Sequence, residues 1–591
     1  MHEDEVLGKA YDARLMRRLL RYLRPHRRSV VIALVAIVAQ SAMQLAQPLL
    51  TRVAIDDYIL AGNLSGLGQI ALLFLVILIA SFGLEFVETY TMQMMGQRIM
   101  FDLRMEIYGH LQRLDVRFYD RNPVGRLMTR VTTDVDALND LFASGVVSAF
   151  RDVFILLGIM VILVIMDWRL AIVAFSVLPL IVLVTRWFRT HARESYREVR
   201  GWIARINATL QENITGMSTV QLFGREARNL AAFDEVNRGH RDANLASIFY
   251  YATFYPAIEF VGAVASALII WFGGGWEMEG TLTLGSLVAF LQYSQRFFRP
   301  ISDLSEKFNI LQSAMASSER IFGLLDTPVA ISSPVSPLTP PSRRTGQIAF
   351  EDVSFAYRGE DCVLRNVSFT IEPGERVGIV GATGSGKTTL INLLLRFYDV
   401  NQGRISIDGV DVRDMDLHEL RRRFGLVLQD VHMFSGTIRD NITLGREETT
   451  DEEVETAARQ AHADGFISRL PDGLDSAVAE RGATLSVGQK QLLSFARALS
   501  FKPDVLVLDE ATSSVDTDTE LLIQDALQTL MKGRTTLAVA HRLSTVQDMD
   551  RVLVFHKGEL RESGTHQELL SQRGIYHRLF ELQFGDQERA S

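Results

Sequence analysis

The stretch Gly381-Ala-Thr-Gly-Ser-Gly-Lys-Thr388 decides the fold of the C-terminal part of this 591-residue chain. An apolar run, Arg376-Val-Gly-Ile-Val380, precedes it and reads as a buried strand, while residues 390–397 read as a helix. A phosphate-binding loop requires that strand–loop–helix context. Glycines at 381, 384 and 386 let backbone N–H groups approach phosphate oxygens closely. Lys387 is expected to reach the β- and γ-phosphates of a nucleotide, and the Thr388 hydroxyl to face Mg2+.

Further along, Val505-Leu-Val-Leu508 is a second all-apolar run, as expected of a parallel strand buried on both faces. Asp509 at its end suits a magnesium ion held through water, and Glu510 suits polarising an attacking water as general base. Leu485-Ser-Val-Gly-Gln489 stands shortly before this run. It has no role inside a single phosphate-loop fold, but it makes sense if a second copy of the domain closes over the nucleotide. A helix starting there would point its N-terminus, favourable to anions, at that site.

The remaining sequence shows what such a unit would drive. The chain is too long for one hydrophobic core. Its net charge of −9 gives no reason to expect a nucleic-acid partner. The single cysteine, Cys362, rules out a disulfide framework or a cysteine metal cluster. The acidic start, Met1-His-Glu-Asp-Glu5, is unlike the basic front of a signal peptide.

Long apolar runs crowd the part before residue 305 or so. Crossing about 30 Å of hydrocarbon takes roughly 20 such residues. Six regions qualify: 29–50, 64–90, 141–166, 170–187, 249–272 and 284–297. Arg151 and Asp152 interrupt the third, and a central charge costs about 2.5–3.5 kcal/mol, so they are expected near a membrane face or paired inside a bundle. Arg14, Arg17, Arg18, Arg21, Arg24, Arg27 and Arg28 stand among leucines before the first span, a pattern suited to a helix on an anionic inner leaflet. Connections 97–139 and 186–244 are rich in arginine, whereas the turns at 167–168 and 273–281 are poor in Lys and Arg. Both termini are therefore expected in the cytoplasm, with the protein in the cytoplasmic (inner) membrane.

Helical periodicity continues through both long connections, so the membrane helices are expected to extend beyond the bilayer. Each connection has a break, one at Pro123 and Gly125 and one within 213–224, where a short cross-piece could dock on the ATPase. On spacing alone a plain helical hairpin is the simpler reading. Glu85, Glu88 and Glu259 lie in or beside spans, and acids there face a cavity or a partner. Glu259 and Glu85 are candidates for a cavity favouring cationic amphipathic compounds; pairing with a neighbouring helix is the competing expectation. Residues 327–345 hold Pro328, Pro334, Pro337, Pro340 and Pro341 and read as an extended tether.

With those motifs in order, the chain resembles an ATP-binding cassette (ABC) exporter half-transporter over nearly its full length. The resemblance implies an α-helical membrane domain of six spans with long cytoplasmic extensions over 1–326. After the linker, it implies an α/β P-loop nucleotide-binding domain with a helical subdomain over 346–591. It favours docking for the cross-pieces. It implies that Tyr357 stacks on adenine and that ATP is contacted by Gly381, Ala382, Thr383, Gly384, Ser385, Gly386, Lys387, Thr388 and Thr389. Mg2+ would be held by Thr388, Gln429 and, through water, Asp509. Glu510, His541 and Gln429 would surround the γ-phosphate, with Asp516 in the loop that crosses the dimer interface. Leu485, Ser486, Val487, Gly488 and Gln489 resemble the signature that completes the partner's ATP site.

Val487 departs from the family's usual glycine. With Lys490-Gln491 following, this form resembles subunits of heterodimeric bacterial exporters, so homodimer and heterodimer both stay open. The activity implied is ATP-driven export of hydrophobic or amphipathic compounds by alternating access. The partners implied are a second half-transporter and the lipid bilayer. A lipid flippase is the alternative in the same class; an ATP-gated channel or a membrane sensor is the alternative outside it.

Overall fold

The structure, a computed structural model, describes residues 12–338, 345–359, 361–428, 430–446, 448–509, 517–539 and 546–588. Its contacts divide the chain into two units, Met1–Leu111 with Gly125–Thr327, and Gln112–Val124 with Pro328–Ser591.

Helices account for the first half of the chain: α1 (Ala13–Leu19), α2 (Arg27–Val53), α3 (Leu64–Leu111), α4 (Val116–Arg121), α5 (Val124–Val131), α6 (Thr133–Asp140), α7 (Val146–Met166), α8 (Trp168–Phe175), α9 (Leu178–Thr215), α10 (Met217–Leu222), α11 (Glu226–Met278) and α12 (Leu284–Leu325). With 48 residues in α3 and 53 in α11, a rise of 1.5 Å per residue makes them about 70–80 Å long. That is more than twice the hydrocarbon thickness of about 30 Å, so both run well beyond it, as the periodic connections predict.

Among the described residues, five stretches are long and apolar enough to cross a membrane: Arg27–Ile59, Leu64–Leu111, Val124–Met166, Trp168–Thr215 and Glu226–Met278. The sixth expected region, 284–297, opens α12 but is not among them. Two of its polar side chains bond to α2: the Tyr293 hydroxyl donates to the Leu45 carbonyl, and Arg296 donates to the Gln44 carbonyl (2.7 Å) and the Gln47 amide oxygen (2.8 Å).

Arg151 takes the second of its two expected settings. It pairs inside the bundle, 3.0 Å from the Glu88 carboxylate, and Glu88 is only 5% exposed. The N-terminal helix departs from a purely leaflet-bound setting. Leu19 is buried, and Arg18 pairs with Asp326 (2.7 Å) while its guanidinium lies 4.2 Å from the Phe322 ring centroid. One edge of the basic segment is thus packed on the end of α12, while Leu20 stays exposed.

Twelve strands follow among the described residues: β1 (Ile348–Phe355), β2 (Leu364–Ile371), β3 (Arg376–Gly381), β4 (Gln402–Ile407), β5 (Val410–Asp411), β6 (Phe424–Val427), β7 (Gly436–Thr437), β8 (Ala477–Val478), β9 (Val505–Asp509), β10 (Thr535–Val539), β11 (Arg551–His556) and β12 (Glu559–Gly564). The main sheet has the order β12-β11-β3-β10-β9-β6, parallel except for β12. A four-stranded antiparallel sheet, β2-β1-β4-β5, covers one face. Side chains alternate across the main sheet, as the two-residue period of a strand requires. Val505 and Val507 of β9 point into the core shared with the antiparallel sheet, and Leu506 and Leu508 into the core shared with Leu492 and Phe495 of the helical side.

A fully buried arginine stitches the sheets together. Arg423, 1% exposed, pairs with Asp408 and donates to Asp504 at 2.9 Å, just before β9. Asp408 also accepts from the Gln347 N–H ahead of β1, at 3.0 Å. The proline-rich tether is tied to this unit. The Ser333 hydroxyl donates to Asp416 (2.9 Å), and the Leu338 N–H to the Asp414 carbonyl (2.8 Å).

Candidate functional site

Parallel strands place their carboxyl ends at one edge of a sheet, where ligands of open α/β folds bind. β3 ends at Gly381 and β9 at Asp509; β6 ends two residues before Gln429, and β10 two residues before His541. Gln429, Glu510, Asp516 and His541 themselves lie outside the described residues.

The loop after β3 has the backbone its glycines predict. Gly384 and Gly386 have φ of +81° and +100°, in the left-handed region that favours glycine. A Cβ at Gly381 would collide with the Phe555 carbonyl. Lys387 opens the helix Lys387–Leu394 and folds back, donating to the carbonyls of Gly381 (2.8 Å) and Ala382 (3.1 Å). Burial pushes its ammonium pKa down, and the nearby charge of Asp509 opposes that shift. The buried Ser385 hydroxyl has no hydrogen-bond partner among the described residues. A buried ammonium resting on carbonyls, an orphaned hydroxyl and a helix N-terminus together fit a phosphate chain. Thr388 is exposed beside them.

Tyr357 is half-buried and its hydroxyl donates to Thr389, 3.1 Å away, so the Thr389 side chain supports the aromatic ring. At the signature, Ser486 caps the helix Val487–Ser500. Its hydroxyl accepts from the Gln489 N–H (3.2 Å), and the Gln489 side chain accepts from the Ser486 N–H (2.9 Å). This reciprocal box fixes the helix start. Leu485 packs against the core, Gly488 is buried and the Val487 side chain points outward, 56% exposed. The residue that departs from the family therefore occupies open surface.

Two contributors escaped the sequence reading. Arg497, three turns along the signature helix, donates to the carbonyls of Asn441 (2.8 Å) and His432 (3.2 Å), tying that helix to the segment after Gln429. Burial lowers its pKa. Tyr398 donates its hydroxyl to Asp120 of α4, a residue 278 positions earlier. The first cross-piece thus belongs to the ATPase unit. The second, α10, leaves Leu222 and the following Phe223 exposed.

In the membrane unit, Glu85 and Glu259 are exposed, and neither has a hydrogen-bond partner among the described residues. Glu88 is the acid that finds an ion-pair partner. A groove of about 500 Å³ lies between α9 and α11, lined by Tyr196, Asn244, Ile248, Tyr251, Tyr255 and Pro256 among others. The hydroxyls of Tyr196 and Tyr251 meet at 3.0 Å.

Comparison with known proteins agrees with this architecture. Residues 30–301 match the ABC transporter transmembrane region, and residues 364–513 match the ABC transporter family. The chain is 38% identical to an ATP-dependent lipid A-core flippase of Syntrophus aciditrophicus, over 96% of this chain and 94% of that protein. It is also 38% identical to a probable multidrug resistance ABC transporter ATP-binding/permease protein of Bacillus subtilis, over 86% of this chain and 76% of that one. Among solved structures it resembles a bacterial Atm1-family ABC exporter with ATP bound. The TM-score is 0.76 at 29% identity, covering 94% of this chain and 98% of that chain.

The chain belongs to the ABC transporter family. It is a multi-pass membrane protein of the exporter type, which binds ATP and couples its hydrolysis to transport. Exporters of this fold work as dimers.

Proposed function

We propose that the protein is one half of an exporter in the cytoplasmic membrane, with both termini and the ATPase unit in the cytoplasm, and that it moves hydrophobic or amphipathic compounds outward. The observation that carries the pairing is the outward-facing start of the helix Val487–Ser500. Its capped N-terminus, with Ser486 and Val487 exposed, suits a phosphate chain held by a second copy.

Within one chain the phosphates would lie on the 381–388 loop, with Lys387 leaving its loop carbonyls for them and Tyr357 carrying the adenine. Thr388 and Asp509, with Gln429, suit Mg2+, which when bound neutralises phosphate charge. Glu510 would take the proton of the attacking water, with His541 at the γ-phosphate and Asp516 at the dimer seam. Alternation between inward and outward access then follows from ATP's greater affinity for the closed pair.

The groove beside Tyr196, Tyr251 and Tyr255 supports an amphipathic substrate, since aromatic rings offer apolar faces with polar tips. The relative named for lipid A-core supports a second reading, lipid flipping. ATPase stimulation in nanodiscs separates them. The export reading expects a cationic dye to raise turnover and added lipid A not to; the reverse result supports flipping. Stimulation by neither would refute both substrate classes. Mass measurement of the same particles reports whether one chain or two different chains make the pair.

A further inference from the structure

Tyr357 and the cross-helix α4 are joined through one residue. The Tyr357 ring meets Tyr398 edge to face, with centroids 5.0 Å apart and planes at 90°. Both pack on Phe355, at 4.8 and 5.7 Å. Tyr398 stands just after the helix that begins in the phosphate loop; it is 6% exposed, and its hydroxyl donates to Asp120. The turn that carries it is held firmly. Arg421 donates to the carbonyls of Leu395 (3.3 Å) and Arg396 (3.1 Å) and lies 5.0 Å from the Phe397 ring centroid. Burial, and then the hydrogen bond to Asp120, push the Tyr398 hydroxyl pKa up, so it stays a donor at neutral pH.

We infer that Tyr398 is a positioning residue through which the base of a bound nucleotide, resting on Tyr357, steadies α4. This rests on the reading of Tyr357 as the adenine platform. Rings packed at interior density shift between discrete arrangements rather than yielding smoothly. A base laid on Tyr357 restricts that ring, the edge-to-face contact restricts Tyr398, and the Asp120 hydrogen bond passes the restriction to α4. Phosphates on the 381–388 loop reach this path only at its margin, where Thr389 accepts from the Tyr357 hydroxyl, whereas the base lies on it. The cross-helix would therefore respond chiefly to the base.

Amide hydrogen exchange of the full-length protein in nanodiscs tests this, read at residues 116–122. Mg-ATP is expected to slow exchange there several-fold, and Mg-tripolyphosphate, which has no base, to leave it unchanged. Tyr398→Phe keeps the ring and removes the bond to Asp120, so ATP should still bind with wild-type affinity while its effect at 116–122 disappears. Asp120→Ala should do the same from the other end. ATP protection surviving in both variants would overturn the inference, as would equal protection by tripolyphosphate. If Tyr357→Ala binds ATP as tightly as wild type, the platform reading falls and takes the inference with it. That failure is distinguishable, because it shows in affinity and not in exchange.

Discussion

Ser486 has one observed role and one proposed role, which one pair of substitutions separates. Its hydroxyl caps the helix Val487–Ser500, and the proposed pairing would set it against a partner's nucleotide. Ser486→Ala removes the cap and, because the residue is exposed, leaves no cavity. The expected cost is about 1 kcal/mol, which speeds amide exchange in the first turn of the helix about fivefold. Ser486→Asp keeps a capping oxygen and adds a negative charge that favours a helix start by about 0.3–1 kcal/mol. The helix should be at least as stable as in wild type. Toward a triphosphate the same charge is repulsive. At about 4 Å and an effective dielectric of about 20, one phosphate charge is disfavoured by about 4 kcal/mol, near a thousandfold in affinity. The alanine variant should thus be slightly frayed and partly active, and the aspartate variant well ordered and inactive. Exchange at 487–493 and ATPase rate, measured on the same nanodisc sample, report both. An aspartate variant that hydrolyses ATP at the wild-type rate refutes the placement of Ser486 against nucleotide; unchanged exchange in the alanine variant refutes the cap.

Arg423→Leu strands the buried Asp408 carboxylate and should destabilise the ATPase unit by about 3–5 kcal/mol, read as a lower unfolding midpoint. Burial pushes the Asp408 pKa up, but hydrogen bonds from Thr345 and Arg423 and the charge of Arg423 outweigh it and hold the carboxyl below its usual value. Its contribution is therefore complete above about pH 4 and disappears as pH falls through the lower folded value, so an acid titration of wild type against Arg423→Leu should converge at low pH. Arg151→Leu leaves Glu88 buried without its ion-pair partner and should cut the yield of monodisperse protein, while Glu88→Leu with Arg151→Leu should recover most of it; equal losses in both would refute the pairing. Glu510→Gln should retain ATP, nearly abolish turnover and trap closed dimers, and normal turnover would remove Glu510 as the base.

What the sequence made legible was what lies close together along it. The 381–388 loop, its strand and its helix are neighbours in the chain, and two of the glycines read as admitting phosphate stand at the left-handed turns found at 384 and 386. The long helices were legible for the same reason, since periodicity is local. Contacts across the chain were not. Arg151 could be read only as lying near a membrane face or needing a partner in the bundle, and that partner, Glu88, 63 residues away, is supplied by the fold. Arg18 looks like one more basic residue of a surface helix until Asp326, 308 positions on, turns up beside it. The polar end of the sixth apolar region is a further case, because its arginine and tyrosine are answered by carbonyls of α2. Arg423 and Arg497 sit in ordinary charged and apolar surroundings in sequence, and nothing local marks either as buried.

The seating of α4 among ATPase residues sets a timetable for synthesis. Asp120 leaves the ribosome 278 residues ahead of Tyr398, a gap of roughly 15–55 s at about 5–20 residues per second. Throughout that interval the cross-helix has been made and its seat has not. The nascent chain must hold α4 without the Tyr398 partner of Asp120 until translation of the ATPase half catches up. An ATPase fragment expressed alone, lacking residues 112–124, would never receive this piece, and its surface around Tyr398 would be a mould without its casting.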